Sequence, residues 1–127
     1  MGEFDALIGL EVEQVWVWSS LRLMFDLGPP GELGIFVDLT DFRFTDEAGG
    51  ESDVRVEDDP LSAGPVLGLL RRRVTDVQIR DWELTIGFDN GARAVCRPHP
   101  RYEAWAVSLP DAAWYFCPLG GGPDSPA

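Results

Sequence analysis

The chain has 127 residues, 45% of them hydrophobic and 11% aromatic, which is the composition of one folded domain and excludes a disordered chain. Its ten basic residues are all arginine and its acids number 22, so the net charge is −12. Such a charge repels phosphate, which makes nucleic acids and anionic membranes poor candidates as partners and favours a basic protein partner.

Two segments of the chain, residues 12–28 and 74–91, repeat each other. Val12 matches Val74 at an offset of 62, and Leu21 matches Leu84 at an offset of 63 because the second unit has one extra residue in its first turn. Both segments alternate apolar and polar side chains with a period of two, which predicts strands with one buried face. We therefore divide the single domain into unit one (7–57), a linking helix (58–71), unit two (72–118) and a loose tail (119–127).

In chain order, unit one contains two strands within residues 12–28, two more over 34–38 and 42–44, and a short edge strand over 54–57. The linking helix begins at Asp59-Pro60, because an acid caps free backbone amides and proline fits the first turn of a helix. Unit two contains strands over 74–80, 83–88, 92–97, 103–109 and 114–117.

This pattern predicts a mainly β fold, with α+β as the alternative. The two related antiparallel three-stranded repeats would form a sandwich or a partly closed barrel, with one short helix between them. Each repeat has one apolar face, so the two are stable only when they cover each other. The sequence leaves the oligomeric state open.

Trp16 and Trp18 share one side of a predicted strand, and Val15 and Val17 occupy the other. If the side with the tryptophans faces solvent, they form an apolar patch of the kind found at protein interfaces; if both sides are covered, they belong to the core. Both interpretations remain open at the level of the sequence.

A concentration of acids lies between Asp38 and Asp59, where nine acids face two arginines, so the net charge is −9 + 2 = −7. We hypothesise that a basic partner binds here. The alternative is a solvated loop that only keeps the protein in solution. The predicted partner-binding residues are Asp41, Asp46, Glu47, Glu51, Asp53, Glu57, Asp58 and Asp59.

A rival hypothesis is a small-ligand protein or an enzyme with a pocket between the two repeats, for which Cys96, His99 and Glu103 are the nearest polar candidates. No catalytic residue is assigned, because Cys96 and His99 lie too close along one extended segment to form a nucleophile pair. Cys96 and Cys117 have apolar neighbours, which favours inert core thiols over a redox pair and leaves their redox state open.

One histidine and two distant cysteines fall short of a zinc site, and nothing else in the sequence indicates a metal or cofactor. No apolar run approaches the roughly 18 residues that a membrane span needs, and the first ten residues contain acids where a secretory signal has a basic start. We therefore expect a cytoplasmic protein with neither metal nor cofactor.

The stretch Phe88-Asp-Asn-Gly91, followed by Pro98-His-Pro-Arg-Tyr-Glu-Ala-Trp105, resembles a family of short, mostly actinobacterial proteins of unknown function. That family has a Pro-x-Pro-x-Tyr-Glu-x-Trp motif. The resemblance implies a single-domain bacterial protein and brings no activity. By analogy, small acidic proteins of this kind resemble immunity-type inhibitors of bacterial toxins. Within the motif we expect Trp105 to be a core residue and Glu103 to be held by Arg97 or Arg101.

Overall fold

The computed structural model describes residues 2–122. They form ten strands, which we number in chain order, and two 3₁₀ helices, Glu3–Leu7 before β1 and Pro60–Leu69 before β6. The strands are β1 Gln14–Val17, β2 Leu21–Asp26, β3 Ile35–Leu39, β4 Asp41–Thr45, β5 Glu51–Arg55, β6 Val74–Arg80, β7 Glu83–Phe88, β8 Arg93–Cys96, β9 Trp105–Ser108 and β10 Trp114–Phe116.

The strands form two antiparallel five-stranded sheets that pack face to face. Sheet 1 has the order β1-β2-β3-β9-β10, and sheet 2 has the order β5-β4-β8-β7-β6. The predicted mainly β fold with two related three-stranded meanders is confirmed, and it is a sandwich of two open sheets. Each unit places its first three strands in one sheet and its last two in the other, so both sheets contain strands from both halves of the chain.

The core lies between the sheets and is built from the alternate side chains of each strand. Leu21, Leu23 and Val37 point inward from sheet 1, and Phe44 and Ile86 meet them from sheet 2. All five side chains are at most 1% exposed. Because burial of apolar surface is the main favourable term in folding, this inward row of each repeat is what holds the two units together.

Trp105 is the largest fully buried side chain, at 1% exposure, so the prediction that it is a core residue is confirmed. Its indole Nε1 donates a hydrogen bond of 2.9 Å to the backbone oxygen of Trp82. Phe4, in the first 3₁₀ helix, packs edge-on against it with ring centroids 6.4 Å apart. A buried tryptophan needs a partner for its N–H group, and the turn that contains Trp82 supplies it.

The linking helix begins where the sequence predicts, because the Asp59 side chain accepts a hydrogen bond of 3.1 Å from the Leu61 amide and Pro60 takes the first position. The helix is 3₁₀ throughout and buries Ala63, Val66 and Leu69. A 3₁₀ helix has three residues per turn, so a spacing of three keeps these side chains on one face. The edge strand expected over 54–57 instead pairs from Glu51 to Arg55.

A two-residue turn joins β6 to β7, and both of its residues, Asp81 and Trp82, have positive φ angles of 51° and 64°. Such angles match the turn to the twist of the flanking strands. The Trp82 indole donates 2.9 Å to the backbone oxygen of Gly122. Residues 119–122 of the predicted loose tail therefore include a contact with this turn, and residues 123–127 lie outside the described residues. No helix among residues 2–122 is long and apolar enough to cross a membrane.

Candidate functional site

The outer face of sheet 1, which points away from the core, is lined with aromatic side chains. The register of the strands places Trp16 beside Arg22, Arg22 beside Asp38, and Phe36 in one row with Ser108 and Trp114 across β9 and β10. We call this surface the aromatic face; its members are Trp16, Trp18, Arg22, Met24, Phe36, Asp38, Trp114 and Phe116.

The side chains of the aromatic face are separate from the core. Met24 and Phe36 are 1% and 2% exposed, yet neither belongs to the cluster that fills the space between the sheets. Trp18, Trp114 and Phe116 are 45%, 48% and 38% exposed. Of the two interpretations for Trp16 and Trp18, the structure supports the outward one: both lie on the side of the sheet that points away from the core.

Arg22 lies at the centre of the aromatic face and organises it. Its guanidinium carbon is 3.7 Å from the centroid of the Phe36 ring, and 5.1 Å and 5.5 Å from the rings of Trp18 and Trp16. It donates two hydrogen bonds, of 2.6 Å and 2.9 Å, to the two carboxylate oxygens of Asp38. A planar guanidinium can stack on aromatic rings and bind a carboxylate at both oxygens. Arg22 therefore neutralises the charge of Asp38 and at the same time contacts three rings of the aromatic face.

Small outward residues of β9 separate two groups of aromatic rings on the aromatic face. Ala106 and Ser108 lie between Phe36 and Asp38 on one side and Trp114 and Phe116 on the other. The rings of Trp114 and Phe116 contact each other, with centroids 5.0 Å apart. These two rings therefore lie on one side of β9, and Phe36 with the Arg22 guanidinium stacked on it lies on the other.

The outer face of sheet 2 shows what the same strand geometry looks like without aromatic residues. The repeat and the strand registers make each aromatic position of sheet 1 equivalent to one position of sheet 2. The equivalent pairs are Trp16 and Gln78, Trp18 and Arg80, Phe36 and Arg93, Trp114 and Glu51, and Phe116 and Asp53. Since polar side chains serve at all five positions, the fold does not require aromatic residues there.

The predicted partner-binding acids fall into three places on sheet 2 and the segment that follows it. Asp41, Glu51 and Asp53 point outward from β4 and β5, whose registered partners include Arg43 and Arg55. Asp46 and Glu47 lie at the tip of the β4–β5 hairpin, and Glu57, Asp58 and Asp59 lie at its opposite end, before the linking helix. The eight acids therefore do not form a single patch.

Several of these acids have local structural partners. Asp46 accepts hydrogen bonds of 2.9 Å and 2.8 Å from the amides of Ala48 and Gly50, and so closes the hairpin turn. Asp59 caps the linking helix, Asp41 accepts a hydrogen bond from the Tyr102 hydroxyl, and Glu51 lies 3.4 Å from Arg43. Among the eight acids, Glu47, Asp53, Glu57 and Asp58 are exposed side chains without such a hydrogen bond or ion pair in the described structure.

Arginines balance the acids on the outer face of sheet 2. A surface trough of about 530 Å³ is lined there by Asp41, Phe42, Arg43, Asp53, Arg55, Val95 and Arg97. Arg93 lies 3.8 Å from Asp76, and Arg97 lies 2.9 Å from Glu83. This surface is a mixed network of exposed charges, and exposed pairs of this kind contribute little to stability.

The candidates for a pocket between the repeats have different environments. Cys96 is fully buried, and its thiol lies within hydrogen-bond distance of the backbone oxygens of Asp41 and Ala104, at 3.4 Å and 3.3 Å. His99 stacks on Tyr102 with ring centroids 3.7 Å apart, and its Nδ1 accepts from the Arg101 amide. Glu103 is exposed. The structure assembles no common site from these three residues.

Burial is the main cause of the raised pKa values of Cys96, Cys117 and Tyr102. Desolvation raises the pKa of the Cys96 thiol far above its usual range and also raises the pKa of Cys117. For Tyr102, burial and then the hydrogen bond to Asp41 raise the pKa of the hydroxyl. Both thiols are therefore protonated and shielded at neutral pH, which is the opposite of what a reactive cysteine needs.

One expectation for the motif region is wrong. Arg97 pairs with Glu83 at 2.9 Å, and Glu103 makes no ion pair with any arginine of the described chain. The reason is that the pairing of β7 with β8 places Leu84 opposite Cys96 and so brings Glu83 beside Arg97 at the end of the strand pair. Within residues 2–122, no group of three histidine, cysteine or acidic side chains could hold a metal ion.

Sequence reasoning identified Trp16 and Trp18 and missed the rest of the aromatic face. Trp114 and Phe116 alternate with Tyr115 in the predicted strand 114–117 and therefore share one side of it. Their equivalence to Glu51 and Asp53 lies outside the repeated segments 12–28 and 74–91, and only the pairing of β9 with β3 and β10 and of β4 with β8 and β5 reveals it. Arg22 and Asp38 carried no signal of their own, because only the pairing of β2 with β3 brings them together.

The chain belongs to a family of unknown function, DUF6188, which matches residues 4–123. The match includes both units and every strand of the two sheets. The predicted resemblance to a family of unknown function is confirmed at this level. Comparisons with curated proteins and with solved structures gave no match.

Proposed function

We propose that this protein is a non-enzymatic binding protein that engages a basic protein partner through the aromatic face of sheet 1. The observation that supports the proposal is the contrast between equivalent positions of the two units. Trp18, Trp114 and Phe116 are large, apolar and exposed, and their equivalents Arg80, Glu51 and Asp53 are charged. Aromatic side chains are enriched in protein interfaces, where they anchor binding when they are removed from water.

A protein partner fits this surface better than a nucleic acid does. Bases can stack on exposed aromatic rings, but such binding also needs cationic side chains along the phosphates. The outward residues named on the aromatic face include one cation, Arg22, which Asp38 already neutralises. The rings are also inclined to each other, by 58° for Trp16 and Trp18 and by 38° for Trp114 and Phe116, so they offer a contoured surface.

The charge of the molecule supports a basic partner. With a net charge of −12 the protein attracts cationic surfaces over a distance of about one Debye length, roughly 8 Å at physiological salt. Complementary charge mainly speeds association and selects partners, and the aromatic contacts would supply most of the affinity. In this division of roles, the overall negative charge attracts the partner and the aromatic face binds it.

A more specific form of the proposal is that the partner is a bacterial toxin and that this protein is its immunity-type inhibitor. Its support is the combination of small size, strong negative charge and an adhesive surface, which suits an inhibitor that covers a cationic toxin site. The protein products of the neighbouring genes are the first partners to test, because a toxin and its inhibitor must be made together.

The test is a calorimetric titration of the purified protein with the purified products of the neighbouring genes. We compare the native protein with a Trp16→Ala/Trp18→Ala variant. If the two tryptophans are interface anchors, their loss should weaken binding by at least about thirtyfold, which corresponds to a loss of about 2 kcal/mol. Circular dichroism of each variant checks that the fold is retained.

The matched control is a Gln78→Ala/Arg80→Ala variant, which alters the equivalent positions of sheet 2. Its affinity should stay within about threefold of the native value, because most surface residues outside an interface centre contribute little. Equal loss in both variants, or no loss in the tryptophan variant, would exclude the aromatic face as the contact. If no neighbouring product binds and a small ligand is found in the protein, the rival hypothesis of a ligand-binding protein takes precedence.

A further inference from the structure

A cavity of about 420 Å³ lies at one end of the aromatic face, between the loop that joins β2 to β3 and the turn that joins β9 to β10. Ser108, whose registered partners on the neighbouring strands are Phe36 and Trp114 of the aromatic face, also lines this cavity. The cavity therefore borders the surface to which the proposed function assigns partner binding.

The walls of the cavity combine apolar side chains with carboxylates. Apolar lining comes from Pro29, Leu33, Leu109 and Pro110, and the charged lining comes from Asp26 and Glu32. The lining residues that the structure describes include no basic side chain. Such a cavity is complementary to a side chain with an apolar stem and a cationic head, as in arginine and lysine.

The cavity is formed by hydrogen bonds that exist without a partner. The Ser108 hydroxyl, on a residue that is 1% exposed, donates 2.6 Å to the backbone oxygen of Gly34 and ties the loop to β9. Asp26 accepts 2.9 Å from the Gly28 amide, which fixes one of its carboxylate oxygens. Gly34 has φ +83°, and a Cβ atom there would lie 2.5 Å from the backbone oxygen of Asp26, so only glycine allows this close approach.

We infer that this cavity is a specificity pocket that receives an arginine or lysine side chain of the partner protein. The stem would lie against the apolar wall, and the head would bind the carboxylates of Asp26 and Glu32. The inference rests on the proposed function and adds to it the residue type that the partner must present. Arg22 is a partial precedent within the molecule, since one carboxylate binds its guanidinium, although its apolar contacts are aromatic rings and those of the cavity are aliphatic.

The test uses small probes and needs no partner. The ¹⁵N-labelled protein is titrated with N-acetyl-arginine amide and, separately, with N-acetyl-citrulline amide, which has nearly the same shape and no charge. The arginine probe should produce saturable shifts in the amide signals of Gly28, Gly34 and Leu109. Citrulline should bind about tenfold more weakly, because it lacks the charge-assisted hydrogen bonds.

Two variants separate a local site from general attraction to an acidic protein. Glu32→Gln should reduce the affinity for the arginine probe several-fold, whereas Asp89→Asn, which also removes one exposed carboxylate charge, in the β7–β8 turn of sheet 2, should leave it unchanged. Equal binding of citrulline, equal effects of the two variants, or no saturable shift in the named amides would overturn the inference. Because the partner is not used, these outcomes leave the test of the aromatic face independent.

Discussion

Tryptophan has two distinct roles in this molecule. Trp105 is fully buried, packs near Trp82 and Phe4, and has its indole N–H group hydrogen-bonded. Trp114, nine residues later, is 48% exposed and packs mainly on Phe116. The strand pairing explains the difference, because Trp105 points into the core from β9 and Trp114 points outward from β10.

We expect Trp105→Ala to lower the free energy of unfolding by about 3–5 kcal/mol, as large-to-small core substitutions do. Trp114→Ala is the matched control and should lower it by less than about 1 kcal/mol, since an exposed side chain leaves no cavity. Urea unfolding followed by circular dichroism measures both values. A stable Trp105→Ala protein that had lost partner binding would reverse the assignment of this residue to the core.

The two cysteines should be chemically silent in the native protein. Burial raises the pKa of both thiols, so the thiolate that reacts is scarce at pH 8 and is also shielded from the reagent. In a reaction with Ellman's reagent at pH 8, we expect no fast phase from the folded protein and two equivalents of thiol after denaturation. A rapid reaction of either cysteine under native conditions would favour the hypothesis of a reactive site.

At the residue scale, burial was predictable and pairing was not. The apolar context of Trp105 and of both cysteines indicated the core correctly. The expected arginine partner of Glu103 was wrong, because strand pairing brings Arg97 beside Glu83. Arg22 and Asp38 lie 16 residues apart in the sequence, and only the register of β2 with β3 makes them neighbours.

At the scale of elements, the β4–β5 hairpin contains most of the predicted acidic segment. Asp46 has a structural role in its turn, so it is unsuitable as a probe of binding. We expect a Glu47→Gln/Asp53→Asn/Glu57→Gln/Asp58→Asn variant to keep its fold. Its association with a basic partner should slow, and the rate should depend less on salt, because four attracting charges are gone. Stopped-flow or surface-based kinetics at low and physiological salt measure the change.

The control for this prediction is Asp46→Ala, which should lower stability by about 0.5–2 kcal/mol through the loss of the turn's hydrogen bonds and alter association only slightly. If the fourfold variant associates at the native rate at low salt, the acidic segment has no part in attracting the partner. It would then be a solvated hairpin, the alternative that the sequence left open.

The sequence predicted most elements because their apolar alternation survives in both units. Two details of the elements escaped it. The linking helix is 3₁₀, and its buried residues recur at every third position. In a short apolar segment that contains Pro65, this spacing does not distinguish a 3₁₀ helix from irregular structure. Strand β5 starts at Glu51 because Asp46 folds the turn tightly, and its outward acids hide the strand pattern.

At the scale of the whole molecule, the exchange of strands between sheets is the feature that the repeat alone could not predict. Sequence similarity identified the meanders β1–β3 and β6–β8, but it does not say which sheet the following strands join. Pairing of β3 with β9 and of β4 with β8 makes each sheet a product of both units. Neither unit can bury its apolar face alone, so the two should fold as one cooperative structure.

This topology predicts the behaviour of a divided chain. Cutting between Asp58 and Asp59, which are both exposed, gives fragments 1–58 and 59–127. We expect each fragment alone to lack the far-ultraviolet β signal of the intact protein, and the equimolar mixture to recover it as a one-to-one complex. Analytical ultracentrifugation gives the stoichiometry. A fragment that folds stably by itself would show that the units are independent.

The central claim is that the aromatic face of sheet 1 binds the partner, and the five tryptophans provide five separate indole signals with which to test it. In a ¹H–¹⁵N correlation spectrum, addition of the unlabelled partner should shift or broaden the indole signals of Trp16, Trp18 and Trp114, which lie on that face. The signals of Trp82 and Trp105, which pack against each other away from it, should stay in place. Partner binding that leaves the first three signals unchanged would contradict the claim.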